Sequence, residues 1–208
     1  MIELLTADTP NGKKISIMLE EIKFDYKVTK INIFKDEQFK PEFKKLSPFS
    51  KIPVIIDHET KTSLFESGAI LIYLGEKSGK FYDTKQRTTI NQWLMGQMAY
   101  VGPMLGQHHQ FHHYNPGKSE FGENRYFKIS KRIYKELDER LSKSKFLAGN
   151  DYTIADIATF PWIARHEWHD IGLKKFKSLT RWYEEISKRE AVQIGYDLLN
   201  KGDQIPKV

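Results

Sequence analysis

The stretch that decides the fold runs from Ser50 to Leu74 and reads SKIPVIIDHETKTSLFESGAILIYL. Residues 54–57 and 62–65, with an Asp-His turn signal after the first of them, predict two strands joined by a turn. Residues 67–78 then predict a helix that ends at Gly79. The stretch therefore predicts a strand pair that leads directly into a helix.

A proline lies at the start of the first of these strands. Pro53 has no backbone N–H to donate to a sheet, so its position needs a reason. One reason is a cis Ile52–Pro53 bond, which makes a tight bend and exposes the backbone N–H and C=O of Ile52. Those two groups would pair with an extended peptide ligand as an added strand does. An ordinary trans proline at a strand start is the alternative.

The helix that follows begins with a serine preceded by a glutamate. The Ser67 hydroxyl and the free N–H groups of the first helical turn suit a carboxylate, and Glu66 suits an ammonium group. Together the two residues predict a receptor for an α-amino-acid head group. The alternative is a plain N-cap beside an acidic residue that interacts favourably with the helix dipole.

The segment before this stretch alternates strand and helix signals. Residues 2–6 and 26–31 predict strands, and residues 41–46 predict a short helix. A longer helix between the two strands is indicated by four apolar residues that fall on one helical face: Ile15, Met18, Leu19 and Ile22. The predicted order of elements is β-α-β-α-β-β-α.

From Gln86 onward the sequence contains only helical signals. Helical segments are predicted at residues 87–109, 121–142, 153–169, 176–188 and 191–200. A mixed segment followed by an all-helical one predicts two packed domains. The predicted division is an α/β domain at residues 1–79, a linker at 80–86 and an all-α domain at 87–208. Within the helical domain, Thr153 and Asp156 resemble a capping box.

The turn Thr9-Pro10-Asn11-Gly12 follows the first predicted strand and begins the first helix. Ligands of α/β sheets bind outside the carboxyl ends of the strands. A thiol held there by a hydroxyl or amide donor, near the positive end of the helix, would have a lowered pKa. Asn11 is the candidate donor, and the alternative is that Asn11 only caps the helix.

The 208 residues include no cysteine, so any thiol chemistry must come from a bound small molecule. The formal net charge is +6, but the lysines are scattered along the sequence, Lys13-Lys14 included. This favours solvated lysines and an anionic small ligand over nucleic acid. No apolar run approaches the ~20 residues of a membrane span, and no signal peptide is visible. We therefore expect a cytoplasmic protein with neither a nucleic-acid nor a membrane partner.

Four histidines lie close together in the sequence: His108, His109, His112 and His113. They form two i, i+4 pairs, a spacing that can bind zinc or copper. No cysteine is available to complete a site, and the next carboxylate, Glu120, lies beyond the Pro116-Gly117 break. We therefore predict no metal and interpret the histidines as a partly exposed set.

Four stretches resemble the glutathione-transferase superfamily: NGKKISIMLEE, FKPEFKKLSPFSKIPVI, LFESGAILIYL and FLAGNDYTIADIATFPW. Within it, TPNG, Gln38-Phe39, GPMLGQ and the histidine-rich segment resemble the bacterial nu-class, related to the fungal nitrogen-regulator-like transferases. The resemblance implies a thioredoxin-like glutathione-binding domain, a helical second domain and a homodimer. It also implies glutathione-dependent disulfide reduction with weak conjugating activity, and it places the histidines beside the active cleft or the dimer interface.

The resemblance implies roles for individual residues of the first domain. Asn11, helped by Thr9, would face the glutathione sulfur. Ile52, held by its bond to Pro53, would pair with the cysteinyl backbone of glutathione. The γ-glutamyl head group would bind the pair Glu66-Ser67.

Three further residues would hold carboxylate or backbone groups of glutathione by the same resemblance: Gln38, Lys51 and Arg132. Arg132 is offset by one residue from a predicted core stripe formed by Ile129, Ile133, Leu137 and Leu141. Spacing alone therefore favours a surface charge, and the resemblance is what favours a role in glutathione binding.

Three functions follow from these observations. Thr9 and Asn11 occupy the place where many classes direct a tyrosine or serine at the sulfur, which favours reduction of small or protein disulfides over strong conjugation. Without a cysteine, reduction needs one activated glutathione to attack and a second to resolve the mixed disulfide. Conjugation of electrophiles or reduction of peroxides is the second interpretation. A non-catalytic binding or regulatory module is the third.

Overall fold

A four-stranded mixed sheet forms the centre of the N-terminal half of the protein. Its strands are β1 (Ile2–Thr6), β2 (Tyr26–Lys30), β3 (Val54–Asp57) and β4 (Thr62–Phe65), in the spatial order β2-β1-β3-β4. β1 runs parallel to β2 and antiparallel to β3, and β3 runs antiparallel to β4. The computed structural model describes residues 1–208.

The strand register decides which loops share an edge of this sheet. Val54 pairs with Leu5 on one side and with Phe65 on the other. The end of β1, the start of β3 and the end of β4 therefore lie at one edge. That edge is therefore adjoined by the loop before α1, by the Ile52–Pro53 bond before β3, and by the start of α3 after β4.

Three helices accompany the strands: α1 (Pro10–Ile22), α2 (Pro41–Leu46) and α3 (Ser67–Ser78). Two short 3₁₀ turns, Ile33–Lys35 and Glu37–Phe39, lie between β2 and α2. The predicted order β-α-β-α-β-β-α is confirmed. Proline at the first position of α1 and of α2 is favourable because the first N–H of a helix has no partner within the helix.

The second half of the chain is helical. Its helices are α4 (Arg87–Gly96), α5 (Gly102–His108), α6 (Glu120–Lys143), α7 (Ile154–Ile163), α8 (His166–His169), α9 (Lys177–Ser187) and α10 (Glu190–Asp197). A π-helical segment at Gln97–Val101 interrupts the first predicted helix, 87–109, and a second one at His109–Tyr114 extends it. The predicted fold class is confirmed: a thioredoxin-like α/β domain and an all-α domain. None of the helices combines the length and the apolar character needed to cross a membrane.

The chain divides into two compact units, and the division differs from the sequence-based one at the C-terminus. The first unit comprises Met1–Tyr82 and Arg189–Gln204, and the second comprises Asp83–Lys188 and Ile205–Val208. α10 packs on α1 so closely that a Cβ added at Gly195 would lie 2.6 Å from the Cα of Ile17. Sequence patterns detect a helix but not its packing partner, and for that reason α10 was predicted to belong to the helical domain.

Candidate active site

The first turn of α1 is organised by Thr9. Thr9 is the N-cap, and its hydroxyl oxygen accepts a hydrogen bond from the Gly12 N–H at 3.0 Å. Asn11 is the second residue of the helix and is half-buried. The alternative that Asn11 caps the helix is therefore wrong, because Thr9 performs that function. Both side chains lie at the positive end of α1, where a thiolate would be stabilised.

The loop before β3 leaves the backbone of Ile52 outside the sheet. The Ile52–Pro53 peptide bond is cis. On its N-terminal side, the Ser47 hydroxyl holds Lys51 at both backbone groups: it accepts from the Lys51 N–H at 3.1 Å and donates to the Lys51 C=O at 2.8 Å. Ile52 is half-buried and lies outside the β3 ladder, while the Lys51 side chain is exposed. This arrangement keeps the Ile52 backbone available to an extended ligand.

Glu66 and Ser67 form the junction between β4 and α3. Glu66 is exposed and has φ +68° and ψ 113°, a backbone conformation that side-chain-bearing residues rarely adopt. Such conformations are enriched at functional sites. Glu66 occupies the N-cap position but makes no side-chain cap, so the plain N-cap interpretation of Ser67 is wrong. Ser67 is instead the first helical residue, and it is buried.

Two lysines expected at the surface are buried. Lys13 and Lys14 are 0% and 1% exposed. The Lys13 ammonium bonds the Tyr196 carbonyl at 2.5 Å and the Asp203 carboxylate at 2.7 Å, and it lies 3.0 Å from Asp8. Lys13 thereby anchors the C-terminal segment of the first unit to α1.

Lys14 lies against the glutathione-site candidates, and sequence reasoning missed it. Its Nζ is 3.3 Å from the Ser67 hydroxyl oxygen. Burial lowers the pKa of Lys14 to about 7, although the nearby Glu66 carboxylate opposes the shift. One sequence signal was available: Lys14 precedes Met18 and Ile22 at i+4 and i+8, so it falls on the apolar stripe of α1.

Gln38 lies in the second 3₁₀ turn after β2. Its side-chain nitrogen donates to the Ile33 carbonyl at 3.3 Å, and its side-chain oxygen is buried without a hydrogen-bond partner. A buried acceptor with no partner is a candidate contact for a ligand donor.

Arg132 lies in the second unit, on the exposed side of α6. Its guanidinium donates to the Tyr100 hydroxyl at 2.7 Å. A cavity of about 620 Å³ is lined by residues of the first half of α6: Glu120, Phe121, Asn124, Arg125, Lys128, Ile129 and Arg132. Arg132 is therefore exposed, in agreement with the interpretation from helical spacing. It also lines a cavity together with two further cationic side chains, Arg125 and Lys128.

The histidine segment is more buried than the sequence indicated. His108 and His109 are 0% and 5% exposed, so the prediction of a partly exposed set is wrong for these two. His109 Nε2 lies 2.7 Å from Nε2 of His169, whose Nδ1 lies 2.6 Å from the Tyr134 hydroxyl. No group of three or more His, Cys, Asp or Glu side chains is arranged to hold a metal ion. His169 was missed because it lies about sixty residues further along the chain.

Family comparisons agree with this architecture. Residues 3–76 match the glutathione S-transferase N-terminal domain, and residues 109–190 match the glutathione S-transferase C-terminal domain. The disulfide-bond oxidoreductase YfcG of Escherichia coli is 43% identical over 198 residues, which cover 92% of each chain. The chain belongs to the glutathione S-transferase family. The resemblance to the glutathione-transferase superfamily that the sequence motifs indicated is thereby confirmed.

Further relatives of this transferase-family protein are similar over most of its length. The disulfide-bond oxidoreductase YghU of E. coli is 38% identical over 216 residues, covering 93% of this chain and 73% of YghU. A Burkholderia graminis glutathione transferase structure with two glutathione molecules per subunit has a TM-score of 0.90 and 37% identity, covering 97% and 89% of the two chains. A Pseudomonas putida glutathione transferase structure with one glutathione disulfide per subunit has a TM-score of 0.88 and 40% identity, covering 97% and 92%.

Proposed function

We propose that this protein is a glutathione-dependent disulfide-bond oxidoreductase. The observation that carries the proposal is the single sheet edge that collects the start of α1, the Ile52 backbone and the Glu66-Ser67 junction in a chain without cysteine. This edge suits a γ-glutamyl peptide. Because the protein has no cysteine, that peptide must supply the reactive thiol. Two relatives that match over most of the chain, YfcG and YghU, are named disulfide-bond oxidoreductases.

Each part of glutathione has a chemically matched group. The ammonium of the γ-glutamyl group pairs with Glu66, and its carboxylate binds the Ser67 hydroxyl and the N–H groups of α3, which carry no side-chain cap. The cysteinyl backbone pairs with Ile52. The sulfur lies at the start of α1 with Thr9 and Asn11. The remaining carboxylate or backbone groups are held by Gln38, Lys51 and Arg132.

The reaction runs through two thiol–disulfide exchanges. The thiolate of the first glutathione attacks one sulfur of the substrate disulfide, forms a mixed disulfide and releases the other substrate sulfur as a thiolate. A second glutathione thiolate attacks the glutathione sulfur of the mixed disulfide. The second substrate sulfur leaves as a thiolate. The substrate disulfide is thereby reduced by two electrons, and the two glutathione molecules are oxidised to glutathione disulfide. Lowering the thiol pKa from ~8.5 to ~6.5 would raise the thiolate fraction at pH 7 from about 3% to about 75%.

We expect the purified protein to reduce a small-molecule disulfide with glutathione faster than it conjugates glutathione to a model aryl halide or reduces a hydroperoxide. The reason is that Thr9 and Asn11 are the polar side chains at the start of α1 where other classes direct a tyrosine or serine. Parallel assays at equal protein and glutathione concentrations measure the three rates. Conjugation without disulfide reduction would favour the transferase alternative, and glutathione binding without turnover would favour a binding module.

We expect Asn11→Ala to lower kcat/KM for disulfide reduction by about 10- to 150-fold, the equivalent of ~1.5–3 kcal/mol for a hydrogen bond to a charged group. The pKa of the bound glutathione thiol should rise in the same variant, which thiolate absorbance measures. The exposed Asn200 in the same unit provides the control variant Asn200→Ala, which should match the wild type. An unchanged thiol pKa in Asn11→Ala would remove Asn11 from the mechanism.

We expect Arg132→Ala to weaken the dependence of the reduction rate on glutathione concentration, and Arg132→Lys to recover little of the loss. A guanidinium grips a carboxylate through two parallel hydrogen bonds, which an ammonium cannot reproduce. Lys135→Ala, an exposed cation on the same helix, is the matched control. A glutathione titration that is identical in Arg132→Ala and wild type would leave Arg132 as a surface charge.

We also propose that the protein is a nu-class homodimer that works in the cytoplasm, where glutathione is kept reduced. Support for the dimer comes from large apolar side chains left exposed on the second unit: Met95, Tyr100, Tyr114 and Phe121. Exposed apolar side chains mark an interface where they form one contiguous patch. Sedimentation equilibrium measures the mass in solution, and a monomer at micromolar concentration would contradict the proposal.

A further inference from the structure

The cavity along the first half of α6 carries uncompensated positive charge. Three cationic side chains line it, Arg125, Lys128 and Arg132, together with one carboxylate, Glu120, so the lining has a net charge of +2. Arg125 and Lys128 are exposed, and neither forms an ion pair or a hydrogen bond within the chain. Cations that line a concave surface raise the local concentration of anions there. The cavity therefore favours an anionic ligand.

The three cations lie on one face of α6, because residues at i, i+3 and i+7 share a helical face. A rise of 1.5 Å per residue places Lys128 about 6 Å and Arg125 about 10.5 Å from Arg132 along the helix axis. The half-buried side chain of Ile129 lines the cavity on the same face. Positive charge and apolar carbon thus alternate over the length of a small molecule.

The size of the cavity fits a small ligand. Its volume of about 620 Å³ lies within the range of roughly 300–1,000 Å³ that is usual for small-molecule sites. An arginine can hold a carboxylate through two parallel hydrogen bonds, and a lysine adds a point charge. The matching ligand is a short chain of apolar carbon that ends in a carboxylate.

We propose that this cavity binds the disulfide substrate, and that the preferred substrates are small-molecule disulfides whose chains end in carboxylates. The inference rests on the proposed function for the reduction itself and for Arg132 as a glutathione contact. Arg125 and Lys128 then serve the substrate. A glutathione thiolate and a carboxylate-bearing disulfide repel each other as anions, and two nearby cations offset that repulsion.

The exchange can be written in full for 3,3′-dithiodipropionate. The glutathione thiolate attacks one sulfur, forms a mixed disulfide with one 3-mercaptopropionate and releases the other as a thiolate. A second glutathione thiolate attacks the glutathione sulfur of the mixed disulfide, which gives glutathione disulfide and releases the remaining 3-mercaptopropionate. The carboxylates take no part in the exchange. A preference for them therefore reports on electrostatic recognition of the substrate.

The test compares three disulfides that have the same two-carbon chains on each sulfur and differ in charge: anionic 3,3′-dithiodipropionate, neutral bis(2-hydroxyethyl) disulfide and cationic cystamine. kcat/KM for each is measured at saturating glutathione, pH 7 and low ionic strength, after subtraction of the uncatalysed rate. We expect the anionic disulfide to exceed the neutral one by about 5- to 10-fold, with cystamine lowest. High salt should reduce these differences, because it screens exposed charges.

Substitutions in the cavity should change this order. The double variant Arg125→Gln/Lys128→Gln should lose the preference for the anionic disulfide, and it should retain the wild-type kcat/KM for the neutral disulfide and the wild-type KM for glutathione. Arg125→Glu/Lys128→Glu should favour cystamine. Lys135→Gln, at an exposed position of α6 outside the cavity lining, should keep the wild-type order. All three positions are exposed, so these variants should fold.

The outcomes separate this inference from the proposed function. Equal kcat/KM for the three disulfides in the wild type would overturn the inference and leave the proposed function intact. An increased KM for glutathione in Arg125→Gln/Lys128→Gln, with the disulfide preference unchanged, would overturn it by assigning both cations to glutathione. If none of the three disulfides is reduced, the proposed function fails and the substrate assignment fails with it.

Discussion

Asp156→Ala will lower the free energy of unfolding by about 3–5 kcal/mol, because it leaves several buried donors without an acceptor. Oδ1 of Asp156 accepts from the Leu147 N–H at 3.0 Å and from the Trp182 indole N–H at 2.8 Å. Oδ2 accepts from the Thr153 N–H at 3.0 Å and from the Thr153 hydroxyl at 3.2 Å. One carboxylate thus joins the loop before α7, the start of α7 and helix α9.

Thr153→Ala is the matched comparison for this prediction. It removes the N-cap side chain of α7 but leaves the two Oδ1 hydrogen bonds of Asp156, so it should cost about 1 kcal/mol. Asp156→Asn should fall between the two variants, since an amide keeps one acceptor oxygen. Urea unfolding followed by circular dichroism measures the free energy of unfolding of all three variants. An unchanged dependence of this free energy on urea concentration indicates that the substitution did not change the compactness of the unfolded state. A loss in Asp156→Ala no larger than in Thr153→Ala would show that only the cap matters.

Acid will destabilise the helical unit through its buried histidines, and His109→Gln will reduce that sensitivity. Burial lowers the pKa of His109 to about 3, with the neighbouring His108, Arg165 and His113 acting in the same direction. Burial also holds the pKa of His169 well below its ordinary value of 6.5. Both rings are neutral in the folded state, at 2.7 Å from each other.

The sign of the effect follows from proton binding. A histidine with a depressed folded-state pKa contributes its full stability above pH 6.5, where the unfolded state is also neutral. Below pH 6.5 the unfolded state takes up protons that the folded state rejects, so stability falls by up to ~1.4 kcal/mol per pH unit for each such histidine. By pH 4.5 the loss from His109 alone should reach about 2–3 kcal/mol.

The experiment compares slopes, because other groups also titrate in this range. Burial raises the pKa of Asp156 to about 6, which adds stability as the pH falls below 6, in the opposite direction. This contribution is common to wild type and His109→Gln and cancels between them. His113→Gln, at an exposed position of the same segment, should retain the wild-type slope. Equal slopes in wild type and His109→Gln would contradict the prediction.

The helices, strands and caps of this protein could be predicted because their signals are local. Residues at i, i+3, i+4 and i+7 identified α1, and the Thr153-Asp156 spacing identified the capping box that the structure contains. The Thr9-Pro10 pair carried one more local signal. Proline is favoured at the first helical position, so it marks Thr9 rather than Asn11 as the N-cap.

Features that depend on distant parts of the chain were decided by the fold. Lys14 and Ser67 are 53 positions apart, and His109 and His169 are 60 apart, so no spacing rule connects either pair. α10 was recognisable as a helix, but only the fit of Gly195 against the backbone of Ile17 assigns it to the first unit. A local sequence pattern shows which face of a helix or strand is apolar. It does not show which element packs against that face, and the burial and pKa of a side chain depend on that packing.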